Sequence, residues 1–154
     1  MNDEKPLLLL DIDGALSPYW PARGFDFAVE EILEDVWVRI ELREWLARLG
    51  EAFDLVWAST WEEEANDVFG PKLGLAALEC VHFGAAGGWF LNKTLKLADV
   101  VDFVGERRAA WIDDELGEDA IVWADSVGAK LVTTRPTVGI SERDVEDLLG
   151  WAKT

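Results

Sequence analysis

Short hydrophobic runs alternate along the chain with segments in which hydrophobic residues recur at helical spacing. The runs that predict buried strands are 6–12, 53–58, 78–83, 109–112 and 129–133. The segments that predict helices are 41–49, 61–69, 96–104, 117–127 and 141–152. Strands that alternate with helices in this way predict an α/β fold, in which a parallel sheet is covered by helices on both faces.

Local sequence features predict where some of these elements begin and end. Gly50 is expected to stop the first helix, and Gly70 with Pro71 is expected to end the second. Ser141 is expected to begin the last helix, with Asp144 as its capping-box partner. Between the first strand and the first helix, segments 25–29 and 36–40 are predicted to pair as a hairpin across Glu34 and Asp35.

Composition favours one folded unit. The chain has 154 residues, 50% of them hydrophobic, which is enough for one sizeable core and cramped for two. No linker-like segment or fixed-period repeat interrupts it. We therefore expect a single domain over residues 1–154.

Charge and cysteine content exclude several classes of protein. Fourteen Lys and Arg against 31 Asp and Glu give a net charge of −17, which disfavours binding to a polyanion or an anionic membrane through a broad basic face. The single cysteine, Cys80, has no partner for an internal disulfide or a zinc site. The apolar run 7–10 is too short to span a bilayer, and neither the longer apolar segment nor the cleavage site of a signal peptide follows it. A cytoplasmic protein without a membrane anchor is expected.

Polar residues stand at the carboxyl ends of three predicted strands. Asp11 and Asp13 follow the first, Ser59 follows the second, and Asp113 with Asp114 follows the fourth. In an open parallel sheet, ligands bind outside the carboxyl ends of the strands, so these residues are expected to converge. Four carboxylates in one pocket repel each other unless a hard cation neutralises them, and Mg²⁺ suits such oxygen ligands best.

The segment 7–14, which reads Leu-Leu-Leu-Leu-Asp-Ile-Asp-Gly, resembles the first motif of the haloacid dehalogenase (HAD) superfamily. Ser59 matches the Ser or Thr motif of that superfamily, and Lys96 matches its lysine motif. Asp113 and Asp114 match its acidic motif. The motifs occur in the superfamily's order and span most of the chain.

A narrower resemblance rests on three further stretches. These stretches resemble small bacterial and phage HAD proteins, and they are residues 56–61 with Asn66, Lys96 and Leu97 with Val100, and residues 108–114. Those are similar to the HAD domain of "Swiss Army knife" RNA repair proteins. The resemblance implies a role in healing nucleic-acid ends.

The superfamily resemblance implies a three-layer Rossmannoid sheet with a small flap at about residues 15–40 and no large cap. It also implies a Mg²⁺-dependent phosphomonoesterase. Asp11 would be the nucleophile that forms an aspartyl-phosphate, and Asp13 the general acid and base. Ser59 and Lys96 would bind the phosphoryl group. The expected metal ligands are Asp11, Asp13, Asp113 and Asp114.

Simpler interpretations of the same residues stay open. Asp13 with Gly14 also fits an ordinary turn, and Ser59 also fits a helix N-cap. Lys93 competes with Lys96 as the motif lysine. Either Asp113 or its neighbour Asp114 is suited to be the direct metal ligand. Three aromatic residues near the expected site are suited to stack on a substrate ring or to shield the site from water, namely Trp20, Trp61 and Trp89.

The expected substrate is phosphorylated, and the acidic surface favours a small molecule. A polynucleotide end phosphatase, or an accessory domain in RNA repair, is the alternative. It would need a local basic patch, for which the candidates are Arg23, Lys93, Arg107, Arg108 and Arg135. A non-catalytic Mg²⁺ or phosphate-binding module is a third hypothesis, although binding alone does not require Asp13. Substrate identity and oligomeric state stay open.

Overall fold

The computed structural model describes residues 4–21, 23–31, 35–84 and 94–154. The described strands are β1 (Leu7–Leu10), β2 (Phe27–Glu31), β3 (Asp35–Arg39), β4 (Asp54–Trp57), β5 (Glu79–Cys80), β6 (Ala109–Asp113) and β7 (Lys130–Thr133). The α-helices are α1 (Leu42–Ala52), α2 (Leu97–Val104), α3 (Glu118–Val127) and α4 (Glu142–Ala152). A π-helical turn at Ala65–Phe69 and a 3₁₀ turn at Pro71–Leu73 lie between β4 and β5.

Five strands form one parallel sheet in the order β5-β4-β1-β6-β7. At the carboxyl end of β1, Leu10 is paired with Trp57 of β4 on one side and with Ile112 of β6 on the other. The three central strands therefore end level with one another. The residues that follow them emerge at one edge of the sheet, as the sequence predicts.

The alternation of β1 side chains divides the core into two layers. Leu8 and Leu10 are buried in a cluster with residues of α1 and α4. Leu7 and Leu9 are buried in a second cluster with residues of α2 and α3. Because successive strand residues point to opposite faces, the continuous apolar run requires cover on both sides. The predicted α/β sandwich of helix, sheet and helix is confirmed.

The strands β2 and β3 form the predicted antiparallel hairpin, with Val29 opposite Trp37. Val36 and Val38 are buried in the α1 and α4 layer. The Arg39 guanidinium lies over aromatic rings of the hairpin segment and of α1, those of Phe25, Phe27 and Trp45. Asp35 belongs to β3 rather than to the turn, and Glu34 lies outside the described residues.

Three predicted elements differ from the structure in length or type. The segment 61–69 is not one α-helix, because a turn follows Ser59 and the Gly70 N–H bonds the Ala65 carbonyl in a π-helical pattern. Helix α1 continues through Gly50 to Ala52, whose partly buried side chain still packs against the core. The predicted strand 78–83 is paired as a strand only at Glu79 and Cys80, at the edge of the sheet.

The predicted start of the last helix is confirmed. Ser141 and Asp144 form the reciprocal capping box that begins α4. Within the described ranges no separate large cap domain is inserted between the motifs. No helix in this part of the chain is long and apolar enough to cross a membrane. Trp89 and Lys93 lie outside the described residues.

Candidate active site

The loop that follows β1 folds tightly at the edge of the sheet. The Asp11 N–H bonds the Ile112 carbonyl at 3.0 Å, so this residue is still anchored to β6. The Gly14 N–H then bonds the Ser17 carbonyl at 2.8 Å and closes a turn. Gly14 has a φ of 79°, and a Cβ atom there would collide with the Asp114 carboxylate. Glycine therefore permits the loop to lie against Asp114.

Lys96 joins all three central strand ends. Its Nζ donates to Asp11 Oδ1, to Asp113 Oδ2 and to the Ala58 carbonyl, each at 2.8 Å. The side chain is 16% exposed, so these ion pairs lie mostly away from water. Burial lowers the pKa of Lys96, but the carboxylates of Asp11 and Asp113 outweigh it and raise that pKa above its ordinary value. Lys96 is therefore a charged member of the site.

Three carboxylates converge beside Lys96. One oxygen from each of Asp11, Asp113 and Asp114 lies within 4.8 Å of the others, and Asp11 and Asp113 are almost fully buried. Burial, followed by repulsion from Asp113, raises the pKa of Asp11 to about 8. The same two causes raise the pKa of Asp114 to about 6. One ammonium group therefore leaves negative charge uncompensated in this cluster.

This donor set suits a hard divalent cation. Carboxylate oxygens are the ligands that Mg²⁺ prefers, and a bound cation would favour the charged forms of Asp11 and Asp114, whose pKa values burial and repulsion raise. The Asp113 side chain is also oriented, since its Oδ1 accepts the Glu115 N–H at 2.9 Å. The structure thus brings together three of the four predicted metal-ligating side chains.

The fourth predicted ligand, Asp13, has a different environment. Its Oδ2 accepts a hydrogen bond from Trp61 Nε1 at 2.9 Å, and its side chain is not part of the three-carboxylate cluster. The predicted metal role of Asp13 stays a prediction. For its partner, Trp61, the sequence predicts only stacking on a substrate ring or shielding of the site from water. A hydrogen bond across 48 positions leaves no local pattern from which it can be found.

Ser59 lies buried at the end of β4, and 1% of its surface is exposed. Its Oγ accepts the Trp61 N–H at 3.2 Å, so the side chain stabilises the turn after the strand. This turn precedes the π-helical segment, which begins at Ala65, so Ser59 is not its N-cap. The hydroxyl hydrogen is still able to donate to a ligand.

The segment before Lys96 is fixed by a contact that the sequence did not indicate. The Asp119 carboxylate accepts both the Thr94 N–H, at 2.9 Å to its nearer oxygen, and the Thr94 hydroxyl at 2.8 Å. Thr94 Oγ1 in turn accepts the Gly117 N–H at 2.8 Å. Slight burial raises the pKa of Asp119, but these hydrogen bonds prevail and lower it. Asp119, at the start of α3, thus anchors the approach to Lys96.

Two aromatic residues, Tyr19 and Trp20, lie on the loop after Asp13. Partial burial, and then the carboxylates of Asp13 and Asp114, raise the pKa of Tyr19 to about 12. Trp20 is 86% exposed and has a φ of 36°, an uncommon conformation for a non-glycine residue. The Tyr19 N–H bonds the Pro136 carbonyl at 2.7 Å, which joins this loop to the loop after β7.

A parallel α/β sheet with an Asp-x-Asp-Gly turn after β1, a lysine bonded to the first aspartate and an acidic pair after β6 defines a HAD-type domain. The chain belongs to the family described as the HAD domain in Swiss Army Knife RNA repair proteins, whose family model matches residues 7–145. The comparison with curated proteins gives no match.

Proposed function

We propose that this domain is a Mg²⁺-dependent phosphomonoester hydrolase that works through an aspartyl-phosphate on Asp11. The observation that carries the proposal is the position of Asp11, held between the Lys96 ammonium and the Asp113 and Asp114 carboxylates at the carboxyl edge of the sheet. A site that only binds phosphate would not need acidic side chains at its centre. A site that works through a nucleophilic carboxylate beside a cation does need them.

Asp11, Asp113 and Asp114 are the side chains that would hold the ion. Mg²⁺ would offset the negative charge of the carboxylates and of the incoming phosphoryl group. Burial, and then the neighbouring carboxylates, raise the pKa of Asp11 to about 8 when only Lys96 opposes them. An added positive charge would keep it ionised at neutral pH, which its role as nucleophile requires.

In the first step, an Asp11 oxygen forms a bond to phosphorus while the bond from phosphorus to the leaving oxygen breaks. Asp13 gives its proton to that oxygen, so an alcohol departs. Ser59 donates a hydrogen bond to a phosphoryl oxygen, and the Lys96 ammonium supplies positive charge beside those oxygens and Asp11. In the second step, water attacks the phosphorus, Asp13 takes a proton from that water, and the bond from phosphorus to Asp11 breaks. Inorganic phosphate and the starting carboxylate result.

The direct test is Asp11→Asn, because an amide of nearly the same shape cannot form the acyl phosphate. Asp102→Asn, at an exposed position on α2, is the matched control. With Mg²⁺ present, we expect Asp11→Asn to lose turnover by at least about 10³-fold on p-nitrophenyl phosphate, while the control keeps it. In EDTA, where no bound ion contributes to stability, both variants should melt near the wild-type temperature. Substantial turnover in pure Asp11→Asn protein would contradict the assignment of the nucleophile.

A second candidate is a phosphatase for polynucleotide ends, which the family match favours. Two of the basic residues that could bind a polynucleotide backbone are unsuited to that role. Arg107 and Arg108 precede β6, at the end of the strand opposite the carboxylates. Arg107 is bonded to the Asp54 carboxylate, and Arg108 to the Trp151 carbonyl near the end of α4. Among the described candidates only Arg23, on the segment after β1, and Arg135, on the loop after β7, are left for a backbone phosphate, and both are exposed.

Oligonucleotide length separates the two functions. With few cations available beside the site, affinity should come from the terminal phosphate, so KM for a 5′- or 3′-phosphorylated oligonucleotide should change less than about threefold between two and twenty nucleotides. KM should also vary weakly with salt. A KM that falls steeply with length, and rises steeply with salt, would replace the small-substrate function with the polynucleotide one.

A further inference from the structure

The indole of Trp61 contacts the residue that would transfer the proton. Trp61 Nε1 donates to Asp13 Oδ2 at 2.9 Å. An indole N–H is a donor only, so this contact is favourable when Oδ2 is an acceptor without a proton. The geometry therefore distinguishes the two oxygens of the Asp13 carboxyl group.

The turn after β4 directs the indole toward Asp13. The Ser59 hydroxyl accepts the Trp61 N–H, and the Ser59 carbonyl accepts the Glu62 N–H at 3.0 Å. Glu62 has a φ of 49°, a left-handed conformation that costs energy in a residue with a side chain. Its carboxylate accepts the Phe83 N–H at 2.8 Å, which secures the turn to the neighbouring segment. The strained residue thus directly follows Trp61.

Packing fixes the plane of the ring as well. The Trp61 ring meets Phe69 edge to face, with centroids 5.8 Å apart, and Phe69 meets Trp57 in the same manner at 5.9 Å. Phe69 and Trp57 are fully buried. An indole that is held at its backbone, its face and its N–H has little freedom to turn away from Asp13.

We propose that Trp61 is a positioning residue for proton transfer, because it holds Asp13 Oδ2 as an acceptor and leaves Oδ1 to carry the proton. The inference rests on the proposed phosphatase function. In the first step, the Oδ1–H bond breaks as the leaving oxygen takes the proton and its bond to phosphorus breaks. Trp61 itself exchanges no proton. Its contribution is the orientation of the carboxyl group relative to that oxygen.

The leaving group separates this role from a purely structural one. An alkyl phosphate needs a proton on its departing oxygen, whereas p-nitrophenyl phosphate releases a stabilised phenolate that does not. The ratio kcat/KM reports the steps up to formation of the aspartyl-phosphate and excludes its later hydrolysis, which is common to both substrates. A loss of proton positioning therefore lowers kcat/KM for the alkyl substrate selectively.

Trp61→Phe removes the donor and keeps an aromatic ring against Phe69. Trp151→Phe, on α4 at the opposite end of the sheet, is the matched control. We expect Trp61→Phe to lower kcat/KM for glycerol phosphate by about tenfold or more, and for p-nitrophenyl phosphate by less than about threefold. In an Asp13→Asn background the same substitution should cost nothing further. Equal losses on both substrates, or no loss, would overturn the inference.

A spectroscopic readout serves if Trp61→Phe does not fold. In ¹H–¹⁵N spectra, the indole N–H signal of Trp61 should move upfield in Asp13→Ala, and those of the other eight of the nine tryptophans should stay. An unmoved signal would overturn the inference. If the wild-type protein turns over neither substrate with Mg²⁺, the proposed function is overturned and this inference with it. If the wild type is active and Trp61→Phe loses kcat/KM equally on both substrates, the inference alone is overturned.

Discussion

Lys96 supplies the positive charge on which the site depends. Its ammonium group bonds two buried carboxylates and a main-chain carbonyl, so all three of its protons are used within the site. Removing it would leave Asp11 and Asp113 buried side by side without a counter-ion. A buried charge that loses its partner is strongly destabilising, because the desolvation cost stays while the attraction is lost.

Lys96→Met keeps the length of the side chain and removes its charge. Without Mg²⁺, we expect the free energy of unfolding to fall by about 3 kcal/mol, and we expect phosphatase activity to be lost. Saturating Mg²⁺ should recover part of the stability and none of the activity. Urea melts with and without Mg²⁺ measure this, with Lys72→Met, at an exposed position, as the control. A Lys96→Met protein as stable as the control in EDTA would show that the pairs contribute little.

The sequence was sufficient for residues whose position follows from a strand end. Asp11, Ser59 and Asp113 could be placed at one edge because a parallel sheet aligns the ends of its strands. The hydrogen bond from Trp61 to Asp13 and that from Thr94 to Asp119 could not be predicted. Each depends on the direction in which a side chain leaves a turn, and the periodic pattern of hydrophobic residues does not indicate that direction.

At the scale of elements, α2 and α3 cooperate in presenting Lys96. Asp119 lies in the first turn of α3, where a carboxylate also suits the positive end of the helix. It accepts hydrogen bonds from both the backbone and the side chain of Thr94, two residues before Lys96. The first turn of one helix therefore fixes the approach to the next helix along the sheet face.

Asp119→Ala should release this anchor. We expect a loss of about 1–3 kcal/mol in the free energy of unfolding, because buried donors of Thr94 lose a charged acceptor. We also expect kcat/KM to fall about tenfold as the Lys96 ammonium loses its fixed position. Asp125→Ala, at an exposed position of the same helix, is the control for both measurements. If Asp119→Ala behaves as Asp125→Ala does, the anchor is unimportant.

The elements that sequence patterns misjudged are those whose form is set by contacts with other elements. The segment 61–69 has helical spacing, but Trp61 is turned toward Asp13 and Asn66 bonds both Trp57 and the backbone of Leu78. With these contacts, the segment forms a turn followed by a π-helical turn, and not the single α-helix that its spacing predicts. Gly50 marks a typical helix stop, yet α1 passes through it, because tertiary packing outweighs a propensity cost of about 1 kcal/mol.

At the scale of the whole molecule, the net charge of −17 and the clustered aspartates act in the same direction. The overall field would attract a divalent cation, and at the site the cation would meet three carboxylates whose mutual repulsion it would reduce. An ion that binds the native state and not the unfolded chain stabilises the fold by mass action. Thermal stability therefore reports on occupation of the site without any assay of activity.

We expect the melting temperature to rise by roughly 5–10 °C at a Mg²⁺ concentration of about 100 times the dissociation constant, at constant ionic strength. In Asp113→Ala this rise should largely disappear, whereas Asp102→Ala, at an exposed position of α2, should keep it. Differential scanning fluorimetry against KCl-matched buffers measures the effect. A melting temperature that is indifferent to Mg²⁺ in the wild-type protein would contradict the metal site.

The position of β1 in the sheet determines how the site responds to partial opening of the fold. With β4 on one side and β6 on the other, the backbone amides of β1 can exchange with solvent only when the sheet itself comes apart. The short edge strand β5 is paired only with β4, so it can separate from the sheet without breaking the pairs of β1. The backbone of the proposed nucleophile, Asp11, is thus bonded to the most protected part of the sheet, and local opening at the β5 edge should leave its position unchanged.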